Sequence, residues 1–256
     1  MHTRASWLKM SLAGFVAMAV AAGASGSARA AEVKVAVAGN FTEAVKEIGA
    51  LFEKATGHKA VFSFGPTGGL YNQITQAAPF EVFLAADQET PAKAVKEGHA
   101  VEGSAYTYAT GKLVLFSKAE GMTLGEATLK ESKFAKIAIA NPKTAPYGTA
   151  AVEVMQKLGV YDALKEKIVE GNNIAQTYQF VDTGNAEVGF IAFAQVALKS
   201  GGSRWVVPAS MHKTIAQDAV LLKTGAGKDA AKTFLTFLKG PEARKVIEKY
   251  GYGFVD

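Results

Sequence analysis

The chain has 256 residues and no cysteine, and arginine is nearly missing from most of it: beyond position 30 only Arg204 and Arg244 occur, beside 23 lysines. Without cysteine, disulfide scaffolds, thiolate zinc sites, iron–sulfur clusters, thiol catalysis and thiol-linked lipid anchors are excluded. Arginine is the usual bidentate clamp for carboxylate and phosphate, so a site of that kind would have to use one of these two residues. Long apolar runs are also scarce. The one at Leu12–Ala22 follows Arg4 and Lys9 and leads to Ala28-Arg29-Ala30. It falls short of the roughly 20 residues a membrane span needs, and the pattern is that of a cleaved signal peptide over residues 1–30. An exported chain with no further span is expected to be free in the periplasm.

Basic charge is weaker than it first looks. The formal net charge is +5, but removing Arg4, Lys9 and Arg29 with the leader leaves 25 basic against 23 acidic residues. No Lys/Arg-rich run interleaved with aromatics remains, so a nucleic-acid groove has no support. What is present is a foldable composition, 49% hydrophobic and 20% charged, long enough for two modest lobes without staples.

From Val33 onward strand-like and helical runs alternate, which indicates an α/β fold. Val33, Val35 and Val37 alternate as a strand; Phe41, Val45, Ile48, Phe52 and Ala55 then share one helical face up to Gly57. Lys59–Phe64 reads as a strand, 65–69 as a turn, Leu70–Ala77 as a helix and Glu81–Ala85 as a strand, with Asp87 placed to cap the helix that Pro91 opens. A second series has strands at Lys112–Ser117, Lys136–Ala140, Val188–Ala192, Trp205–Val207 and Asp218–Lys223, a helix at Thr149–Leu158, and closing helices at Ala230–Leu238 and Glu242–Tyr250. No flexible linker separates the series. Two lobes are therefore expected, residues 31–110 with 219–256 and residues 111–218, with a ligand cleft between them.

Enzyme motifs are weak. Ser210-Met211-His212-Lys213 and Lys223-Thr224-Gly225 match fragments of a serine acyl-transferase pattern, but they lie close together and no S-D-N accompanies them. His58, His99 and His212 lack metal-ligand spacing. The tyrosines of Tyr106-Thr107-Tyr108 and Tyr250-Gly251-Tyr252 read as packing residues. Two loops stand out. Gly39-Asn40-Phe41-Thr42-Glu43 and Gly65-Pro66-Thr67-Gly68-Gly69 each sit where a strand hands over to a helix, with Asn40 or Thr42 able to cap the first. Such starts present free backbone N–H groups and the positive end of the helix dipole, and two of them can converge on one anion. Asn141–Gly148 and Gly171–Gln176 also lead into helices, and read equally well as ordinary connections.

These four segments, in this order, with Ala78–Asp87 and Leu238-Lys239-Gly240-Pro241, closely resemble the periplasmic molybdate-binding proteins of molybdate ABC importers, from about Val33 to Phe254. The resemblance implies a two-lobed type II periplasmic-binding fold that closes on one tetrahedral oxyanion, molybdate or tungstate, held by neutral donors. These would be Asn40 with the Gly39 backbone, the Thr67 hydroxyl, and the backbone N–H groups of Tyr147 and Ile174. It further implies a monomer that serves an inner-membrane permease, no catalysis and no cofactor apart from the ligand. Some members add a tyrosine hydroxyl at the position of Ala192, so that donor is absent or replaced here. A site of donors only suits a fully deprotonated dianion, since hydrogen phosphate would leave its proton without an acceptor at a cost of about 1–3 kcal/mol. Rival readings are a binding protein of the same fold for sulfate or an amino acid, and an exported serine hydrolase built on Ser210 and Lys213. Thr67→Ala is expected to leave folding intact, as a change in an exposed loop.

Overall fold

The structure, a computed structural model, describes residues 30–255, so the expected signal peptide lies outside it but for Ala30. The chain opens with β1 (Glu32–Ala38), α1 (Thr42–Thr56), β2 (Lys59–Gly65), α2 (Thr67–Thr75), β3 (Val82–Leu84), α3 (Glu89–Lys96) and β4 (Tyr106–Gly111). It continues through β5 (Leu113–Ser117), α4 (Glu126–Glu131), β6 (Ile137–Ala140), α5 (Pro146–Lys157), α6 (Tyr161–Leu164), β7 (Ile168–Gly171), α7 (Ile174–Asp182), β8 (Val188–Ala192) and β9 (Ser203–Val206). It returns along β10 (Ile215–Leu221) and ends in α8 (Asp229–Lys239) and α9 (Pro241–Lys249).

The strands form two five-stranded sheets, ordered β2-β1-β3-β10-β4 and β7-β6-β8-β5-β9, each the centre of one lobe. β1 runs parallel to β2 and β3, whereas β10 is antiparallel to both β3 and β4. The chain passes from the first sheet to the second through Lys112 alone and returns through residues 207–214. β10 begins at Ile215, not Asp218, because Ile215–Gln217 already pair with Gly111–Ala109. The chain is thus back in the first sheet before the expected return at 219.

β1 alternates only at its start; Ala36, Val37 and Ala38 are all buried, because helices cover both faces of the sheet. α1 buries Val45, Ile48 and Phe52 as its period requires, leaves Ala55 exposed, and stops at Gly57. There φ is 72° and the N–H donates to the Glu53 carbonyl, a left-handed cap that glycine adopts without strain. Phe52 meets Phe234 edge-on with centroids 5.2 Å apart, tying α1 to α8. Asp87 caps α3 through the Thr90 N–H at 2.8 Å. The second lobe's core includes Tyr147, Met155, Ile174 and Phe190, and Ala38 and Ala86 of the first lobe pack into it, so the two lobes meet directly.

Candidate functional site

Four helices begin at the junction of the lobes. A 3-10 turn, Gly39–Phe41, runs straight into α1; α2 starts at Thr67, α5 at Pro146 and α7 at Ile174. Their first residues line one small cavity together with Ala38, Gly65, Pro66, Ala86 and Ala145. All five residues singled out in the sequence, Gly39, Asn40, Thr67, Tyr147 and Ile174, are on its wall and come from both lobes. The first N–H groups of each helix have no carbonyl within their own helix, and each start carries about half a positive charge. No ionised side chain lines the cavity.

The side chains are committed more narrowly than the sequence suggested. Neither Asn40 nor Thr42 caps its helix: the Thr42 hydroxyl donates to the Gly39 carbonyl at 2.8 Å. Asn40 Nδ2 donates to Gln217 Oε1 at 2.8 Å and to the Tyr252 hydroxyl at 3.1 Å. Both amide protons are therefore spent away from the cavity. Thr67 is not in an exposed loop; it is 1% exposed, and its Oγ1 accepts the Ala86 N–H at 3.0 Å. That bond occupies a lone pair and leaves the hydroxyl proton free to donate. In the second lobe, Asn173 caps α7 through the Gln176 N–H, which leaves the Ile174 N–H at the open end of the helix. Ala192 is buried at the end of β8 and does not line the cavity. Its N–H donates to Gln195 Oε1, while Gln195 Nε2 donates to the Ile174 carbonyl and so anchors the α7 start.

Behind the cavity lies a buried polar cluster that sequence reasoning missed. Gln217, fully buried on β10, accepts from Asn40 and from the Tyr108 hydroxyl at 3.0 Å, and its Nε2 donates to the Tyr147 hydroxyl at 3.2 Å. Tyr252 donates to the Asn40 carbonyl at 2.7 Å. Phe41 packs edge-on against Tyr108 and Tyr252, with centroids 4.8 and 5.3 Å away. Burial raises the pKa of Tyr108, Tyr147 and Tyr252, so all three hydroxyls stay protonated. Local sequence carried no signal for Gln217, whose partners lie up to 177 residues away.

Both arginines are occupied elsewhere. Arg204 donates to the carbonyls of Val196, Lys199 and Gly201, and Arg244 stacks 3.6 Å from the Phe254 ring centroid. Ser210 is exposed; its backbone carbonyl accepts from Lys157 Nζ, and the Lys213 backbone N–H donates to Glu153. Among the described residues, no group of histidine and carboxylate side chains could hold a metal ion, and no helix is long and apolar enough to cross a membrane.

The cavity measures about 10 Å³, room for about one water-sized sphere. A neighbouring groove of about 540 Å³ carries Asp87, Glu89 and Glu153 together with Lys143 and Lys213. Burial raises the pKa of Asp87, against the lowering effect of its bonds from Thr90. Beside that groove the lobes are joined by the Gly68 N–H, which donates to the Thr144 carbonyl at 3.0 Å.

Comparison with known proteins agrees with this architecture. Molybdate-binding protein ModA of Rhodobacter capsulatus is 56% identical over 240 residues, covering 94% of this chain and 95% of its own length. The protein of that name from Azotobacter vinelandii is 56% identical over 231 residues, covering 89% and 92%. The solved Azotobacter vinelandii periplasmic molybdate-binding protein matches with a TM-score of 0.84 at 40% identity, over 88% of this chain and 100% of that one. The sulfate-binding protein SubI from Mycobacterium tuberculosis H37Rv matches with a TM-score of 0.75 at 12% identity, covering 88% of each chain, a likeness of fold alone. A family model described as bacterial extracellular solute-binding protein matches residues 33–253, and the chain belongs to that family.

Proposed function

We propose that this protein is the periplasmic binding component of an ABC importer that captures molybdate, and tungstate equally well, for delivery to an inner-membrane permease. The observation that carries the reading is the convergence of four helix starts and one buried hydroxyl on a cavity lined by no ionised side chain. Oriented N–H and O–H donors stabilise a dianion strongly when water is excluded, because the donors are already fixed and the local dielectric is low. In this reading Thr67 donates its hydroxyl, and Asn40, Tyr147 and Ile174 donate backbone N–H groups. The ligand is carried as an intact oxyanion, without a resident cofactor or chemistry on it. The protein acts as a monomer, each chain holding a complete site.

Discrimination follows from the same donors. A protonated oxyanion finds no carboxylate on the wall to take its proton and is disfavoured, whereas tungstate, nearly the size of molybdate, is accepted. Sulfate has the right charge but is smaller, so donors set for molybdate stand too far from it. A thermal-shift series with molybdate, tungstate, sulfate and phosphate tests this. A ligand at about 100 times its Kd adds roughly 2.7 kcal/mol, which for a chain of this size raises Tm by about 5–10 °C. Molybdate and tungstate should reach that shift together, with sulfate and phosphate far behind. No shift with millimolar molybdate refutes the assignment, and a larger shift with sulfate would transfer it to the rival ligand.

A further inference from the structure

The two residues that line the cavity from opposite lobes, Asn40 and Tyr147, are also the two whose side chains meet at the amide of Gln217. The orientation of that amide is determined by its neighbours. Tyr252 gives its proton to the Asn40 carbonyl and can only accept from the Asn40 side chain, so Nδ2 must face it. The second Nδ2 proton then requires an acceptor on Gln217, which places Oε1 toward Asn40 and Nε2 toward Tyr147. Tyr108 shares its one hydroxyl proton between Oε1, 3.0 Å away, and the Ala85 carbonyl, 3.1 Å away. Gln217 itself is fully buried beside the bulge in β10, the strand by which the chain returns to the first sheet. Gly111, the last residue of β4 before the single-residue crossing, makes the room: a Cβ there would overlap the Tyr147 hydroxyl and Gln217 Nε2.

We infer that Gln217 is a specificity-determining positioning residue that joins Asn40 of one lobe to Tyr147 of the other, fixes the spacing of their donors across the cavity, and so sets the size of oxyanion accepted. It touches no ligand; it works through the side chains of two residues whose backbones do. The inference rests on the oxyanion-binding reading above and adds to it the element that holds the closed gap constant. With the link cut, the walls can draw in around a smaller ion or stand off from a larger one, and the penalty for the wrong size shrinks. The loss of closure also speeds release.

Calorimetry of the wild type, Tyr147→Phe, Gln217→Met and the double variant, each with molybdate and with sulfate, tests this, with melting curves to report folding. Tyr147→Phe keeps the ring and the backbone N–H and removes only the hydroxyl end of the link. Each single variant should lower the molybdate-to-sulfate affinity ratio at least tenfold, and the double variant should fall no further than the worse single, since both cut one link. A role in folding alone would lower Tm and leave the ratio unchanged. A wild-type ratio in Tyr147→Phe, or effects of the two substitutions that multiply in the double variant, overturns the inference while leaving molybdate binding in place. If Gln217→Met does not fold, the ratio in Tyr147→Phe decides alone. A wild type that binds neither ion removes the underlying reading and this one with it.

Discussion

Replacing Thr67 by alanine should damage binding and folding separately, and the structure says by how much. The hydroxyl accepts the Ala86 N–H and has its proton left for the ligand. A hydrogen bond to a charged group contributes about 1.5–3 kcal/mol, so its loss weakens molybdate binding by about 10- to 150-fold. The same change strands the Ala86 N–H in a site where Thr67 is 1% exposed. An unpaired buried donor costs about 1–3 kcal/mol, which lowers the Tm of the ligand-free protein by about 2–12 °C. Thr67→Ser keeps both functions of the oxygen and should stay within about threefold of wild-type affinity, a difference of less than ~1 kcal/mol. Titration calorimetry gives the affinities and a melt without ligand gives the stability. Wild-type affinity in Thr67→Ala refutes the donor role. A serine variant as weak as the alanine one shows instead that the methyl group, not the hydroxyl, matters.

Three further expectations follow from particular contacts. Gly68→Ala places a Cβ 3.3 Å from Thr144 Cα and lengthens the bond that joins the lobes, so molybdate should dissociate faster with little change in Tm; stopped-flow displacement by excess tungstate measures it. Asp87→Asn removes a carboxylate whose pKa burial has raised. Below the ordinary aspartate pKa of about 4 folded and unfolded wild type are both protonated, and charging the folded form becomes costly as pH rises through the raised value. The variant should therefore melt higher than wild type at pH 7, with the gain disappearing on acidification, and a pH-independent difference would contradict the cause given. Arg204→Ala should lower Tm, because three backbone carbonyls lose their donor, yet leave molybdate affinity within about twofold, a shift of under ~0.5 kcal/mol; a large loss of affinity would return arginine to the site.

The parts of the fold that could be read from sequence are those governed by local rules. The apolar face of α1 up to Phe52, its stop at Gly57 and the Asp87 cap depend on residues a few positions apart, and they are found where expected. The strand–loop–helix starts at Gly39 and Thr67 were visible for the same reason. β4 was not, since Tyr106–Gly111 has no clear alternation and gains its place by pairing with β10 more than a hundred residues later. Thr67 was misjudged as exposed because its burial comes from Ala86 and the second lobe, neither of which a loop sequence reveals. Gln217 was invisible altogether: it and Asp218 form an adjacent polar pair in an otherwise apolar strand, which has no pattern, and its meaning lies in Asn40, Tyr108 and Tyr147, brought to it by three different elements.

A cavity walled by dipoles instead of ions has a consequence for how loading can be observed. The surrounding tyrosines remain protonated whether or not an anion is present, and no carboxylate or amine on the wall can take up or release a proton in response. A dianion held there keeps its whole charge, uncompensated by any counter-ion. The calorimetric heat of binding should then be the same in buffers of different ionisation enthalpy. The loaded protein should also focus at a lower pH than the empty one on a native gel, a two-charge label that needs no dye and no radioisotope.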